Sequence, residues 1–363
     1  MANTEINPDV LKMTSFNVFT KLEGAVTAGM IHLGDQLGLY GALAGHDVPV
    51  PVAHLAAECG LHERWVREWA SNQVAARIVS CDDLNDGSMP LYLTAEAKCV
   101  LASPGHPAFG MGMFHRLPQT MAALNAMPES FRSGVGHDYD SHGPEGAVGI
   151  ERSFEPWNQN FLLPVVLPAL DGVVERMRGG IRVADIGCGA GGAALLMASA
   201  FPESRIDGYD ISLHALERAR GRQTEAKVDN VRFLDPRENP IPTDGSYGLV
   251  CTFDCIHDMT HPAEMMRTIR GAISDDGTWL LVDIKAQETL EQNVTRNPMA
   301  SMLYGISVLS CMSSAMSSPD GAGLGTLGLP ESKARDMARD AGFTRFRRLD
   351  VDHSVNAFYE IRP

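Results

Sequence analysis

Residues 182–192 of this 363-residue chain read RVADIGCGAGG, a short apolar segment that ends in an acid and then runs into closely spaced glycines. An apolar helical pattern follows over residues 193–201, and a second strand pattern ends at Asp210. A glycine-rich turn between a strand and a helix lets a cofactor contact bare backbone, and an acid after the second strand is suited to bind a ribose diol. The sequence therefore predicts a nucleotide-type cofactor site.

The sequence from residue 181 onward alternates between strand and helix patterns, which favours an α/β fold with a doubly wound, Rossmann-like parallel sheet. Strands are predicted at 181–186, 205–210, 231–234, 248–253 and 278–284, and helices at 191–201, 212–222, 262–273 and 331–341. The pattern then changes, because residues 344–349 and 355–361 flank a short polar turn. These two segments predict an antiparallel hairpin that closes the sheet.

The N-terminal part has a helical pattern. Residues 15–44 predict one long helix, whose apolar side chains recur every three or four positions at Leu22, Val26, Met30, Leu33, Leu37 and Tyr40. Several glycines weaken this helix, so we expect packing within its own domain or against a second copy to compensate. Residues 52–60 and 62–78 predict two further helices, and two short strands and another helix follow. This is the order of a winged helix.

These patterns predict three regions. We expect a mostly helical winged-helix dimerisation domain over residues 1–103, a connector with lid helices over residues 104–170, and a cofactor-binding domain over residues 171–363. A winged helix is also a DNA-binding element. However, the formal net charge is −15, and clustered basic side chains are what phosphate contacts require. We therefore expect neither nucleic acid nor a membrane surface as a partner.

Cysteine usage and the N-terminal sequence bear on the compartment. The seven cysteines are scattered without regular spacing, which predicts reduced thiols rather than a disulfide framework. The first ten residues, MANTEINPDV, lack the basic and apolar regions of a signal peptide, and no apolar run is long enough to cross a bilayer. The sequence thus predicts a cytoplasmic protein, and no metal site is predicted from its motifs.

The glycine turn alone leaves two cofactors open. Gly187, Gly189 and Gly192 satisfy the GxGxxG pattern of a dinucleotide site, which would make the chain a nicotinamide dehydrogenase. Asp185, followed by glycines at alternate positions up to Gly191, fits equally well the pattern of proteins that bind S-adenosyl-L-methionine.

Two later segments carry a family resemblance. Residues 231–240, VRFLDPRENP, match the third motif of class I S-adenosylmethionine-dependent methyltransferases, and residues 247–250 match their entry to strand four, with Gly248 in place of the usual Asp. Together with the terminal hairpin, residues 181–363 resemble that family. The resemblance implies S-adenosyl-L-methionine as the cofactor, S-adenosyl-L-homocysteine as the product, and a cofactor site made of Asp185, Gly187, Gly189, Gly191, Asp210, Ile211, Asp235, Pro236 and Phe253.

The resemblance also implies roles for the acids of this site. Asp185 is expected to help hold the amino group of the methionine moiety, and Asp210 to accept hydrogen bonds from both ribose hydroxyls. Asp235 is expected to accept one from the adenine amine. Backbone at Gly187 and Gly189 would lie against the methionine moiety, where a Cβ would collide.

A candidate general base follows strand four. Residues 255–259 read CIHDM, and Asp283 stands at the end of the next predicted strand. Ligands of open α/β sheets bind at the carboxyl ends of strands, and a histidine oriented by a carboxylate is a general-base arrangement. With the winged-helix region included, the chain resembles bacterial relatives of plant-type O-methyltransferases. In those enzymes a His-Asp motif, matched by His257 and Asp258, provides the histidine that removes the hydroxyl proton.

The acceptor side has no specific motif. Residues 297–328 are apolar and rich in methionine, which predicts either ordinary core or a substrate-pocket wall that includes Met302 and Tyr304. We expect Tyr139, Phe154 or Trp157 of the connector to close this wall from the other side. We expect a homodimeric methyltransferase that acts on a hydroxyl oxygen of a small molecule, with His257 and Asp283 as catalytic residues. The alternatives are a structural role for His257, a base-independent nitrogen, sulfur or carbon acceptor, and a cofactor-binding regulator that contacts DNA.

Overall fold

The computed structural model describes residues 6–363 of the chain. The first five residues lie outside the described part. The predicted domain 1–103 and the segment analysed for a signal peptide both begin with these residues. The chain divides into two compact units, one that ends at Pro118 and one that begins at Gln119. Within residues 6–363, no helix combines the length and the apolar character needed to cross a bilayer.

The first unit is a winged helix, as the sequence predicts. Its three short strands form an antiparallel sheet with the order β1-β3-β2. The strands are β1 (Val50–Pro51), β2 (Ser80–Cys81) and β3 (Pro90–Tyr92). The helices are α1 (Pro8–Gln36), α2 (Leu39–Ala44), α3 (Val52–Glu58), α4 (Glu63–Ala75), α5 (Ala95–Leu101) and α6 (Met111–His115).

The prediction of one continuous helix over residues 15–44 is wrong. Helix α1 begins earlier, where the side chain of Asn7 caps the backbone N–H groups of Asp9 and Val10. It stops before Gly38, whose φ of +72° is left-handed and cannot continue a right-handed helix. Helix α2 then begins at Leu39. The apolar repeat across residues 15–44 did not reveal this break, because it does not report backbone handedness.

The second unit begins with helices that pack beside a large sheet. The predicted connector is largely helical in the structure, and Gly134 ends the helix Met127–Ser133 with a left-handed φ of +76°. Helix α7 (Leu117–Ala122) includes the unit boundary, and the helices that follow are α8 (Met127–Ser133), α9 (Gly143–Trp157) and α10 (Val173–Gly179). Helix α9 continues into a π-helical segment (Asn158–Val166), and short 3₁₀ turns lie at Ala123–Asn125, Tyr139–His142 and Leu167–Ala169.

A mostly parallel seven-stranded sheet forms the centre of this unit, which confirms the predicted Rossmann-like fold. Its order is β6-β5-β4-β7-β8-β10-β9, and the last two strands are antiparallel, as the predicted terminal hairpin requires. The strands are β4 (Arg182–Ile186), β5 (Arg205–Tyr209), β6 (Val231–Leu234), β7 (Tyr247–Phe253), β8 (Ile273–Ile284), β9 (Arg345–Arg348) and β10 (Asn356–Arg362).

Helices cover both faces of the sheet. They are α11 (Gly192–Ala200), α12 (Leu213–Ala226), α13 (Pro262–Ala272), α14 (Leu290–Arg296), α15 (Ala300–Leu309), α16 (Cys311–Ala315) and α17 (Glu331–Asp340). Alternate residues of the central strands enter two separate cores, with Val183 and Leu249 in one and Ala184 and Val250 in the other. Because the strand order reverses at β4, a crevice for ligands is expected at the carboxyl ends of β4 and β7.

Candidate active site

Glycine is required in the turn after β4. Gly187 and Gly191 both have left-handed backbone, with φ of +74° and +76°. A Cβ at Gly187 would lie 2.7 Å from the Cβ of Cys255, and one at Gly191 would lie 2.5 Å from the ring of Phe233. Gly189 is also left-handed, but a Cβ there would meet nothing within 4 Å. The turn therefore lies tightly against the protein at two positions and leaves open space at the third.

Asp210 fixes this turn to the end of β5. Its Oδ2 accepts a hydrogen bond from the backbone N–H of Gly189 (2.7 Å), and its Oδ1 accepts one from the N–H of Ser212 (2.8 Å). Burial raises the pKa of Asp210, and these two N–H groups oppose that rise. A carboxylate oxygen can accept more than one hydrogen bond, so Asp210 can hold the turn and still bind a diol.

Asp185 is a buried acid whose own hydrogen-bonding capacity is unused. It is fully buried at the end of β4, and neither of its carboxylate oxygens accepts a hydrogen bond of regular geometry from a described residue. Burial and the nearby charge of Asp210 raise the pKa of Asp185 to about 7. Buried polar atoms without partners are costly in native proteins, so this carboxylate is suited to receive a cationic group of a ligand.

Asp235 has a partner that the motif analysis did not identify. The guanidinium of Arg237 donates to both carboxylate oxygens at 2.7–3.1 Å and also to the backbone oxygen of Ile211 (2.8 Å). These hydrogen bonds lower the pKa of Asp235. Arg237 directly follows the predicted Asp235-Pro236 pair in the sequence. The sequence did not indicate that its side chain turns back to bind Asp235.

Phe253 and Trp157 pack against each other. The two rings meet edge to face with centroids 5.5 Å apart, and Trp157 stacks on Phe358 at 5.9 Å. Phe253 is the last residue of β7, so the predicted cofactor-facing position and the predicted acceptor-side tryptophan lie together at the carboxyl edge of the sheet. Phe253 and Trp157 therefore belong to one group of packed aromatic side chains.

His257 and Asp283 form a buried pair, as the strand ends predict. His257 lies in a 3₁₀ turn after β7, and its Nδ1 is 2.6 Å from Oδ1 of Asp283 near the end of β8. Each residue is only 2% exposed. A carboxylate can only accept, so Nδ1 carries the proton and the second ring nitrogen remains for another partner. Burial alone would lower the pKa of His257, but the Asp283 charge outweighs burial and holds it well above its usual value.

Two further groups beside this pair were not predicted. Asp254 has a left-handed φ of +49°, and its carboxylate accepts a hydrogen bond from Asn356; burial and Asp283 raise its pKa to about 7. Cys311 begins α16, and its sulfur lies within 4.8 Å of a ring nitrogen of His257. Asp254 was adjacent to the predicted motif, whereas Cys311 stands in a segment without any motif.

A short segment of the connector, residues 136–142, links the acceptor side to the cofactor side; we call it the strap. At one end, the N–H groups of Gly136 and His137 donate to Met316 and Ser313 at 2.8 and 2.9 Å. At the other, Asp140 accepts hydrogen bonds from the hydroxyl of Ser212 and the N–H of Leu213. Tyr139 lies within the strap, and its role on the acceptor side stays a prediction.

The two residues predicted to form a substrate wall on α15 have exposed side chains. Met302 is 43% exposed and Tyr304 is 37% exposed, and the buried face of this helix carries Leu303 and Ser307 instead. Both side chains are therefore open to solvent, and their role in a substrate wall stays a prediction.

Comparisons with known families agree with this arrangement. The family described as "Methyltransferase domain" matches residues 178–347, and the one described as "Rv2258c-like winged HTH domain" matches residues 25–101. A 27-O-demethylrifamycin SV methyltransferase of Amycolatopsis mediterranei is 33% identical over 110 residues. That alignment covers 30% of this chain and 40% of the relative, so the chain spans well under half of the curated protein it matches.

Solved structures share the whole fold. The mitomycin 7-O-methyltransferase MmcR has a TM-score of 0.68 at 20% identity, with 98% of this chain and 99% of that one covered. Human N-acetylserotonin methyltransferase, solved in complex with SAM, has a TM-score of 0.64 at 16% identity, with 99% of both chains covered. The family match over residues 178–347 favours the S-adenosylmethionine interpretation of the glycine turn over the dinucleotide one. Residues 178–347 thus form a methyltransferase domain of the S-adenosylmethionine-dependent family, which this chain joins to an N-terminal Rv2258c-like winged helix-turn-helix domain.

Proposed function

We propose that this chain transfers the methyl group of S-adenosylmethionine to a hydroxyl oxygen of a small molecule, with His257 as the general base. The observation that carries the proposal is the buried contact of 2.6 Å between His257 Nδ1 and Asp283 Oδ1 at the carboxyl edge of the sheet. This contact orients the ring and fixes which nitrogen carries the proton, and orientation by a carboxylate is what a catalytic histidine needs.

The residues around the glycine turn fit the cofactor. The carboxylate of Asp185 has two buried oxygens without regular partners, which suits the amino group of the methionine moiety. Asp210 would accept the ribose hydroxyls, and the open space beside Gly189 leaves backbone accessible. When bound, the cofactor supplies an electrophilic methyl group on a sulfonium centre. The protein would contribute mainly by holding the donor and the acceptor close together in the correct orientation.

The raised pKa of His257 gives the proposed base a defined pH dependence. The charge of Asp283 raises the pKa of His257 and so favours the protonated ring, which cannot remove a proton. Methyl transfer to a hydroxyl group should therefore accelerate as pH rises toward that pKa. Asp283 would act as a positioning residue, because it contacts the base rather than the acceptor.

The same raised pKa favours a second candidate function, which is methyl transfer to nitrogen, sulfur or carbon without a general base. A thioether or an amine presents its own lone pair and needs no proton acceptor. In that case, replacing His257 would have little effect on the rate, and the rate would vary little with the protonation of this ring. The pH–rate profile of the wild-type protein and of His257→Ala therefore separates the two candidates.

Cofactor affinity should depend on the ionisation of Asp185. In the cofactor-free protein its pKa is raised to about 7, so the carboxylate is mostly neutral below that pH. The ionised form attracts the ligand's amino group, so affinity for S-adenosylhomocysteine should fall as pH drops below 7, by up to about tenfold per unit. Calorimetric titrations at pH values about one unit apart, between about 5.5 and 8.5, would measure how the affinity for S-adenosylhomocysteine changes with pH.

The matched variant for that measurement is Asp185→Asn, which keeps the shape of the side chain and removes its charge. We expect weaker binding at pH 8 and a flatter pH profile than in the wild type. The pKa of Asp210 is also raised and can contribute to the slope, so the difference between the two proteins isolates Asp185. Equal slopes would show that Asp185 does not hold the amino group.

We further propose that the chain acts as a homodimer through its N-terminal unit. Helix α1 exposes an apolar surface of the kind that marks a protein interface, including Phe16 (64% exposed) and Phe19 (65% exposed). Further exposed apolar side chains of this helix are Val10, Leu11, Met13, Val18, Leu22 and Val26. A second copy is the occupant that the proposal requires, since a two-fold axis would bury this surface on both chains.

Analytical ultracentrifugation of Phe16→Asp tests the dimer. Burial of a phenylalanine contributes about 1.5–3 kcal/mol, and a two-fold interface loses it twice, so dimer dissociation should rise by at least about 100-fold. Asn17→Asp adds the same charge one residue further along α1 without removing apolar area and serves as the control. A monomeric wild-type protein at micromolar concentration would contradict the proposal.

DNA contact through the winged helix is less well supported. Arg64 pairs with Glu68, and Arg67 pairs with Glu63, on the same helix α4. These four charges cancel on the surface that a recognition helix would present to phosphates. A DNA-binding regulator would show duplex affinity that decreases steeply with added salt, and this assay can be run on the full chain.

A further inference from the structure

Three side chains that can bind a metal ion converge in the N-terminal unit, outside the candidate active site. His54 and Glu58 are four residues apart on α3, so they lie on one face of that helix, one turn from each other. His46 comes from the segment after α2, and its Nε2 is 2.8 Å from Oε2 of Glu58. One donor atom from each of the three side chains lies within 4.8 Å of the other two.

The backbone that carries these side chains is held by neighbouring elements. The ammonium group of Lys98 on α5 donates to the carbonyl oxygens of Ala44 and His46, each at 3.1 Å. Leu43 of α2 and Leu55 of α3 are both buried in the core of the unit. The two elements that supply the ligands are therefore fixed to the same core, which reduces the entropy that binding would cost.

The donor set discriminates between classes of metal. Two imidazole nitrogens and one carboxylate oxygen are a ligand combination found in zinc proteins with three protein ligands and a water. Calcium and magnesium prefer oxygen ligands, and a site in which histidine supplies two of the three donors disfavours both. Transition metals later in the first row bind imidazole well, with zinc and copper among the tightest.

We propose that His46, His54 and Glu58 bind one divalent metal ion of the zinc class, with the remaining coordination position or positions filled by water. The short contact between His46 and Glu58 would open slightly so that both donors can reach the ion at about 2.0–2.2 Å. The bound ion would link the end of α2 to α3 within the winged-helix unit. It would act on the stability of this unit, independently of methyl transfer.

A second group with metal-binding potential lies in the catalytic unit, and the test must distinguish it. His257, Asp258 and Cys311 also have donor atoms within 4.8 Å of one another. That group contains a thiol, whereas the proposed site does not. Cobalt(II) separates the two, because thiolate ligation adds an intense charge-transfer absorption that nitrogen and oxygen ligands do not produce.

The experiment uses the full chain, stripped of metal with EDTA and then desalted. We expect one equivalent of cobalt(II) or zinc(II) to bind without a thiolate charge-transfer band, and zinc(II) to raise the melting temperature by several degrees. His54→Ala should lower zinc(II) affinity at least about tenfold. Loss of a residue that only hydrogen-bonds to a metal ligand already costs about this much affinity, and loss of a ligand should cost no less. Glu58→Gln should also weaken binding.

Two control variants complete the design. His106→Ala removes an exposed histidine of the same unit that is not part of the cluster. Cys311→Ser removes the thiol of the other group. Neither variant should change the binding of one equivalent of metal at His46, His54 and Glu58. Equal zinc(II) affinity in wild type, His54→Ala and Glu58→Gln would overturn the proposal, as would a cobalt(II) spectrum that shows only thiolate ligation. Because the readouts are metal binding and melting, they do not depend on whether the proposed methyl transfer is correct.

Discussion

His257→Ala should lower the rate of methyl transfer to a hydroxyl acceptor by about 10²–10⁴-fold, the range that positioned general bases contribute. The reason is structural: His257 is buried, oriented by Asp283 through a 2.6 Å contact, and located at the carboxyl edge of the sheet. Alanine removes the proton acceptor and leaves the glycine turn, Asp185 and Asp210 unchanged. Affinity for S-adenosylhomocysteine should therefore stay near the wild-type value.

The measurement is S-adenosylhomocysteine formation with a panel of hydroxylated small molecules, followed across pH for the acceptor that wild type uses best. The wild-type rate should rise with pH, and the variant should lose that rise. His214→Ala on α12 replaces a histidine outside the site and is the matched control. Asp283→Asn should retain part of the rate but shift the profile to lower pH, because the charge that raises the pKa of His257 is removed. An unchanged rate in His257→Ala would exclude the base role.

Asp210→Ala should abolish useful cofactor binding. In the structure Asp210 accepts from the N–H of Gly189 and from the N–H of Ser212, and in the proposed complex it also accepts from the ribose. Hydrogen bonds to a charged group contribute about 1.5–3 kcal/mol each, so loss of the two ribose bonds alone weakens binding by on the order of 10²–10⁴-fold. The loss of the Gly189 bond also releases the turn that the cofactor contacts.

Calorimetric titration with S-adenosylhomocysteine measures this loss, and thermal melting establishes that the variant is folded. Asp210→Asn keeps one oxygen acceptor for the ribose and should therefore recover part of the affinity for S-adenosylhomocysteine. If Asp210 only stabilised the turn, ligand affinity would not have to depend on this oxygen. Asp229→Ala, at an exposed aspartate in the loop before β6, is the control. Binding of S-adenosylhomocysteine by Asp210→Ala with wild-type affinity would mean that the ribose is held elsewhere.

The sequence was most informative where function depends on local backbone. The turn after β4 could be predicted because left-handed glycines leave a distinct pattern, and Gly187 and Gly191 are sterically required there. The His257–Asp283 contact could be anticipated because parallel strands bring their carboxyl ends to one edge. Both predictions depended on residues at or near the carboxyl ends of strands, whose positions the alternation of patterns defines.

Other features depend on tertiary contacts that no local pattern records. Cys311 reaches His257 because α16 packs against the 3₁₀ turn that carries His257, and Arg237 turns toward Asp235 rather than away from it. The exposed side chains of Met302 and Tyr304 reflect the rotation of one helix, which an apolar stretch rich in methionine does not determine. The break at Gly38 required knowledge of backbone handedness.

Three cysteines surround the glycine turn, and their burial has a chemical consequence. Cys188 belongs to the turn itself, and Cys255 lies against Gly187. Burial raises the pKa of the thiols of Cys188, Cys251 and Cys255 well above the usual value. The thiolate is the nucleophilic form of cysteine, and these residues remain thiols at neutral pH. A protein that holds an alkylating agent beside its own sulfur atoms is thus protected from methylating itself.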